Sequence, residues 1–177
     1  MDAFAELGLE RSLTLDGESL KAAVTAAGKE RHPDAGGTAE DFARLQQAKG
    51  LLERPVSRLK HWLELEKVPG DMRGTVSDDL MAVFSEMGVL LQQTDELLRE
   101  REKVSSALAK AMLEGRVQEC REKLEAMQDR LGEMVEVRVE RFGSIEVGGT
   151  DGWEVARDLG FLAKWQGEVR DRFARLW

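Results

Sequence analysis

The sequence predicts an all-α protein built from two helical parts. Three observations point there. Apolar residues recur at spacings of three and four through most of the chain, no stretch alternates with a strand period over a useful length, and Pro and Gly gather between the periodic segments. With 177 residues and 42% apolar content, the chain can bury a core in each part.

Phe4, Leu7 and Leu9 around Gly8 form a short first element. Asp16 stands ready to cap a helix with Leu20, Val24 and Ala27 on one face. That helix must stop at His32, because the residue before a proline is pushed out of the helical region and Pro33 lacks an amide hydrogen. Gly36 and Gly37 then permit a tight reversal. Thr38, with Asp41 three places on, resembles a capping pair opening a helix through Phe42, Leu45 and Leu52 that ends before Pro55. The expected result is an antiparallel helical hairpin, followed by a short helix with Leu59, Trp62 and Leu63.

Residues 66–77 contain Pro69, Gly70 and Gly74 and interrupt the periodicity, which places a domain boundary there. Beyond it, Leu80, Phe84, Met87, Leu91 and Leu98 form one stripe. Val117, Leu124, Leu131 and Val135 form a second after Gly115. A helix from near Trp153 carries Leu159, Leu162, Val169, Phe173 and Leu176 as a third. Three amphipathic helices in succession argue for a three-helix bundle. The expected organisation is an N-terminal domain over 1–66, a linker over 67–75 and the bundle over 76–177.

Composition excludes several function classes. The net charge is -8, and no block of Lys or Arg offers the footprint that nucleic acid demands. No apolar run reaches the roughly 20 residues that span a bilayer, and no basic segment leads into an apolar one at the N-terminus. Neither nucleic acid nor a membrane is therefore expected as a partner. Cys120 is the lone cysteine, so neither an internal disulfide nor a thiolate-rich metal site can be built. A reducing, cytoplasmic compartment is the expectation. The Gly148–Gly152 loop lacks the Lys-Ser/Thr pair of a phosphate cradle, and no His, Asp and Glu spacing suggests a metal. No cofactor is expected. Nothing near His32 in sequence is a nucleophile, so the chain does not read as an enzyme.

His32-Pro33-Asp34 by itself is a common turn, with Asp34 able to bond local amides. Its surroundings add specificity. Phe4-Ala-Glu-Leu-Gly-Leu9, His32-Pro33-Asp34-Ala-Gly-Gly37, Gln47-Ala48 and Arg54-Pro55-Val-Ser-Arg58 follow in order, and this part resembles the J domain of DnaJ-like co-chaperones. The resemblance implies that His32, Pro33 and Asp34 touch a DnaK-type chaperone and accelerate its ATP hydrolysis. It also implies that Lys21, Lys29 and Arg31 steer the encounter, although Thr25, Ala26 and Glu30 stand where further basic residues are common.

Arg58-Leu-Lys-His-Trp-Leu-Glu-Leu65, Thr75-Val-Ser-Asp78 before Leu80-Met81, and Trp153-Glu-Val-Ala-Arg-Asp-Leu-Gly-Phe161-Leu-Ala-Lys-Trp165 extend the likeness. Over nearly the whole chain it resembles HscB, the J-domain co-chaperone of iron-sulfur cluster assembly. That implies delivery of a client, the IscU-like cluster scaffold protein, to a dedicated HscA-type chaperone. The family's scaffold-binding surface falls on Leu80, Met81, Phe84 and Phe161, while Ser85, Gly88 and Gln92 replace its carboxylates. At about 100° per residue, Met81 lies off the buried stripe and Phe161 lies about 110° from its helix's stripe, with Trp165 on the rim. Met81 and Phe161 are thus the apolar residues expected at the surface. His61 and Cys120 read as packing residues.

Overall fold

The computed structural model describes residues 1–31 and 38–177. Among these, eight helices follow in order: α1 (Ala3–Glu6), α2 (Gly17–Arg31), α3 (Ala39–Glu53), α4 (Pro55–Leu65), α5 (Asp78–Lys103), α6 (Ala107–Val139), α7 (Phe142–Glu146) and α8 (Gly152–Arg175). No strand occurs among the described residues, and no helix there is long and apolar enough to cross a membrane. The chain divides into two compact units, Met1–Arg73 with Val139–Ala156, and Gly74–Arg138 with Arg157–Trp177.

In the first unit, side chains close the helix starts that the sequence leaves open. Asp2 accepts from the Phe4 and Ala5 amides to cap α1. Asp16 accepts from the Ser19 amide at 2.8 Å, and Thr38 and Asp41 form a reciprocal capping box on α3. Pro55 opens α4, where its missing N–H costs nothing. Leu20, Leu45, Ala48, Leu52, Leu59 and Leu63 are buried, and α3 packs on α1, α2 and α4.

Residues 139–156 join this unit, although the expected bundle of 76–177 includes them. The amide of Leu13 and the hydroxyl of Ser12 both donate to Glu146 Oε1. The Trp153 indole donates to the Val68 carbonyl at 3.0 Å. Two glycines make the fit possible: a Cβ on Gly152 would stand 2.6 Å from Leu63, and one on Gly70, at φ +133°, would run into the Trp153 ring.

The second unit is an up-down-up bundle. Phe84 meets Trp165, Asp95 meets Arg172 and Arg101 meets the Leu176 carbonyl, so α5 and α8 run the same way. Asp79 with Arg138, Glu86 with Arg130 and Glu100 with Arg116 show α6 running against them. The α5 core stripe is Leu80, Val83, Met87, Leu90, Thr94 and Leu97, with α6 contributing Leu113, Val117, Cys120, Leu124, Met127 and Leu131. Both alternate steps of three and four, the coiled-coil spacing. Gly115 lies inside α6 rather than before it.

Candidate functional site

His32, Pro33 and Asp34 lie outside the described residues. Of the basic residues expected to act with them, Lys21 and Lys29 are exposed on α2. Arg31 is half-buried and engaged: its Nη1 lies 3.3 Å from Glu6 Oε2, while Arg44 Nη2 lies 3.0 Å from Glu6 Oε1. The Arg44 hydrogen bond, followed by the attraction of both arginines, holds the Glu6 carboxyl below its usual range. The Arg31 charge therefore ties the end of α2 to α1 rather than pointing freely outward.

On the bundle, Met81, Phe84 and Phe161 keep 56%, 57% and 43% of their surface accessible. The Phe84 ring packs against Trp165 with centroids 6.1 Å apart, and Phe161 meets the same indole edge-on at 6.3 Å. Trp165 itself is buried and forms the floor beneath the two phenylalanines. Met81 precedes Phe84 by three residues on one face of α5. Ser85, Gly88 and Gln92 continue that side as exposed, uncharged positions, and a Cβ on Gly88 would meet nothing within 4 Å.

Two expectations for α5 need correction. Leu80, expected both in the stripe and on the contact surface, has 0% accessible area and belongs to the bundle core, so it is not a surface residue. Phe84 stands both in the apolar stripe that the sequence predicts and on the predicted contact surface; it is exposed, which fits the surface and not the stripe. The reason is helical phase. Leu80, Val83, Met87, Leu90 and Leu97 centre the stripe so that Phe84 falls about 90° to one side at 100° per residue. Phe173 is only partly buried against the core, and Leu91 likewise.

Sequence reasoning missed the polar end of the bundle. Arg138 and Asp158 are both enclosed, and Arg138 Nη2 also reaches Asp79 Oδ1 at 2.6 Å and Ser77 Oγ at 2.8 Å. The Ser77 amide and hydroxyl lie 3.1 and 2.6 Å from the two Asp158 oxygens. The Arg138 hydrogen bond outweighs partial burial and lowers the Asp79 carboxyl to about 2. This network ties the end of α6 to the start of α5 and to α8, the two helices that carry the apolar patch. A signal was available: Arg138 follows Val117, Leu124 and Leu131 at intervals of seven, on the buried side of α6.

The architecture is that of the HscB fold. Over 100% of both chains, the structure is similar to the chaperone HscB from Vibrio cholerae, with a TM-score of 0.55 and 21% sequence identity. No protein-family model matches the sequence. No curated protein matches it either.

Proposed function

We propose that this chain is a J-domain co-chaperone of HscB-like architecture, acting by coupling rather than by chemistry of its own. Residues 1–66 serve as the J domain, stimulating ATP hydrolysis by a DnaK- or HscA-type chaperone through His32, Pro33 and Asp34, with Lys21 and Lys29 steering the approach. Residues 67–75 are the linker, and the bundle within 76–177 presents the iron-sulfur scaffold protein on Met81, Phe84 and Phe161. Client and J domain each favour the chaperone's closed state, so linkage makes their effects reinforce one another. The observation that carries this reading is the full-length correspondence with an HscB fold. Three large apolar side chains left exposed beside one another support its client half.

A second reading, a co-chaperone of the same build with a different client, is favoured by Ser85, Gly88 and Gln92. They leave the α5 side of the patch without the carboxylates that a basic scaffold surface would need. Steady-state ATP hydrolysis by DnaK-type chaperones, with this protein and its His32→Gln variant, each with and without scaffold, separates these outcomes. Stimulation lost in His32→Gln supports the co-chaperone, and a further rise with scaffold names the client. Stimulation without that rise favours the second reading, and no stimulation leaves a structural interaction module.

A further inference from the structure

At the base of the α2–α3 hairpin lies a cleft of about 610 Å³, lined on its apolar side by Leu15, Leu20 and Val24. Its floor includes Arg58, which is only 8% accessible. Arg58 Nη1 donates to the Leu15 carbonyl at 2.8 Å, and the guanidinium lies 5.7 Å from the centre of the Phe142 ring. Its Nε is enclosed without a hydrogen-bond partner among the described residues. No carboxylate pairs with it among the described residues, and burial alone pushes its pKa down. A buried cation without a counter-charge is costly to keep. Lys21 and the half-buried Lys49 stand on the same lining, and neither forms an ion pair among the described residues. Glu53 is the one carboxylate among the described residues lining the cleft, so positive charge is in excess among them.

We propose that this cleft binds an amphipathic carboxylate, its head group held by Lys21, Lys49 and Arg58 and a short apolar body lying over Leu15, Leu20 and Val24. The volume falls in the range of small-ligand sites, which combine an apolar lining with a small number of polar or charged groups that fix the ligand. A free medium-chain acid and a glutamate on an apolar peptide share this chemistry.

Methyl NMR of the full chain tests the site with octanoate in one arm and an end-blocked Leu-Leu-Glu-Leu-Leu peptide in the other. Octanol and sulfate supply the apolar body and the anion separately. Saturable shifts of Leu15, Leu20 and Val24 with one acid and with neither control are expected, and the tighter acid names the source. Lys49→Gln should weaken that binding about tenfold, the loss of one hydrogen bond to a charged group. Arg58→Met should weaken it further; if that variant does not fold, Lys49→Gln still decides. Octanol binding as well as octanoate, an unchanged Kd in Lys49→Gln, or no saturable shift with either acid overturns the proposal.

Discussion

Arg138 and Asp158 meet inside the bundle, with Nε and Nη2 of the arginine 3.2 and 3.1 Å from one carboxylate oxygen. Their side chains are 2% and 1% accessible, so each is the other's compensation for leaving water. Asp158→Ala leaves the arginine enclosed with only the half-exposed Asp79 beside it. The expected loss is about 3 kcal/mol of unfolding free energy. Arg138→Met combined with Asp158→Leu should cost less than either change alone, because no unpaired charge remains. Urea unfolding followed by far-ultraviolet circular dichroism checks both; a double variant weaker than each single one contradicts the compensation argument.

Asp79 gives the same network a pH signature. Its folded pKa of about 2 lies below the ordinary carboxylate value of 3.8, so the unfolded chain binds more protons on acidification. The stabilisation is fully present above about pH 4 and is lost as the pH falls towards 2. Because the side chain is 54% accessible, solvent screening reduces its worth to about 1 kcal/mol. Urea midpoints of the protein and of Asp79→Asn should differ at pH 5 and converge near pH 2. A constant gap would show that the ion pair is not its source.

What was legible in the sequence was local. Asp16, and Thr38 with Asp41, cap helices through contacts three residues away, so their chemistry can be read in a short window. The return of residues 139–156 to the first unit could not be read that way. Glu146 is bonded to Leu13, 133 residues distant, and α7 has five residues, too few for a period to declare itself. On α5 the periodicity was real, but a stripe drawn through Phe84 chose the wrong phase, exchanging a surface aromatic for Val83. Arg138 and Asp158 were overlooked because charged residues on a helix are usually solvated, and only their heptad positions mark them as buried.

Phe84 and Leu80 should separate binding from folding. Leu80→Ala removes a fully enclosed side chain and should cost about 2–5 kcal/mol of stability. Phe84→Ser and Phe161→Ser remove groups already half in water, and each should shift stability by no more than about 1 kcal/mol. If these aromatics form the client contact, their double variant keeps its melting temperature within a few degrees while losing client-dependent stimulation. Calorimetry run beside the ATPase measurement reads both. Loss of melting temperature equal to that of Leu80→Ala would make the patch part of the core.

His61 should make the N-terminal unit acid-sensitive at a milder pH. The Ala3 amide donates to its Nε2 at 3.1 Å, and its ring stacks on Phe4 at 6.1 Å between centroids. Burial lowers its pKa below the ordinary 6.5 despite the opposing pull of Asp2 and Glu64. With the folded value depressed, the unfolded chain takes up the proton first. The contribution is therefore complete above about pH 6.5 and is lost as the pH falls through the lowered folded value. Protonation consumes the lone pair that Ala3 needs, leaving a backbone donor unpaired. The carboxylates of Asp2, Glu6, Asp16 and Asp41 are all held below their usual values and stay ionised across this window. His61→Gln should thus flatten the decline in stability between pH 7 and pH 5, measured by the urea dependence of the Phe4 and Ala48 amide NMR signals. An equal decline in both proteins would assign the acid sensitivity to another group.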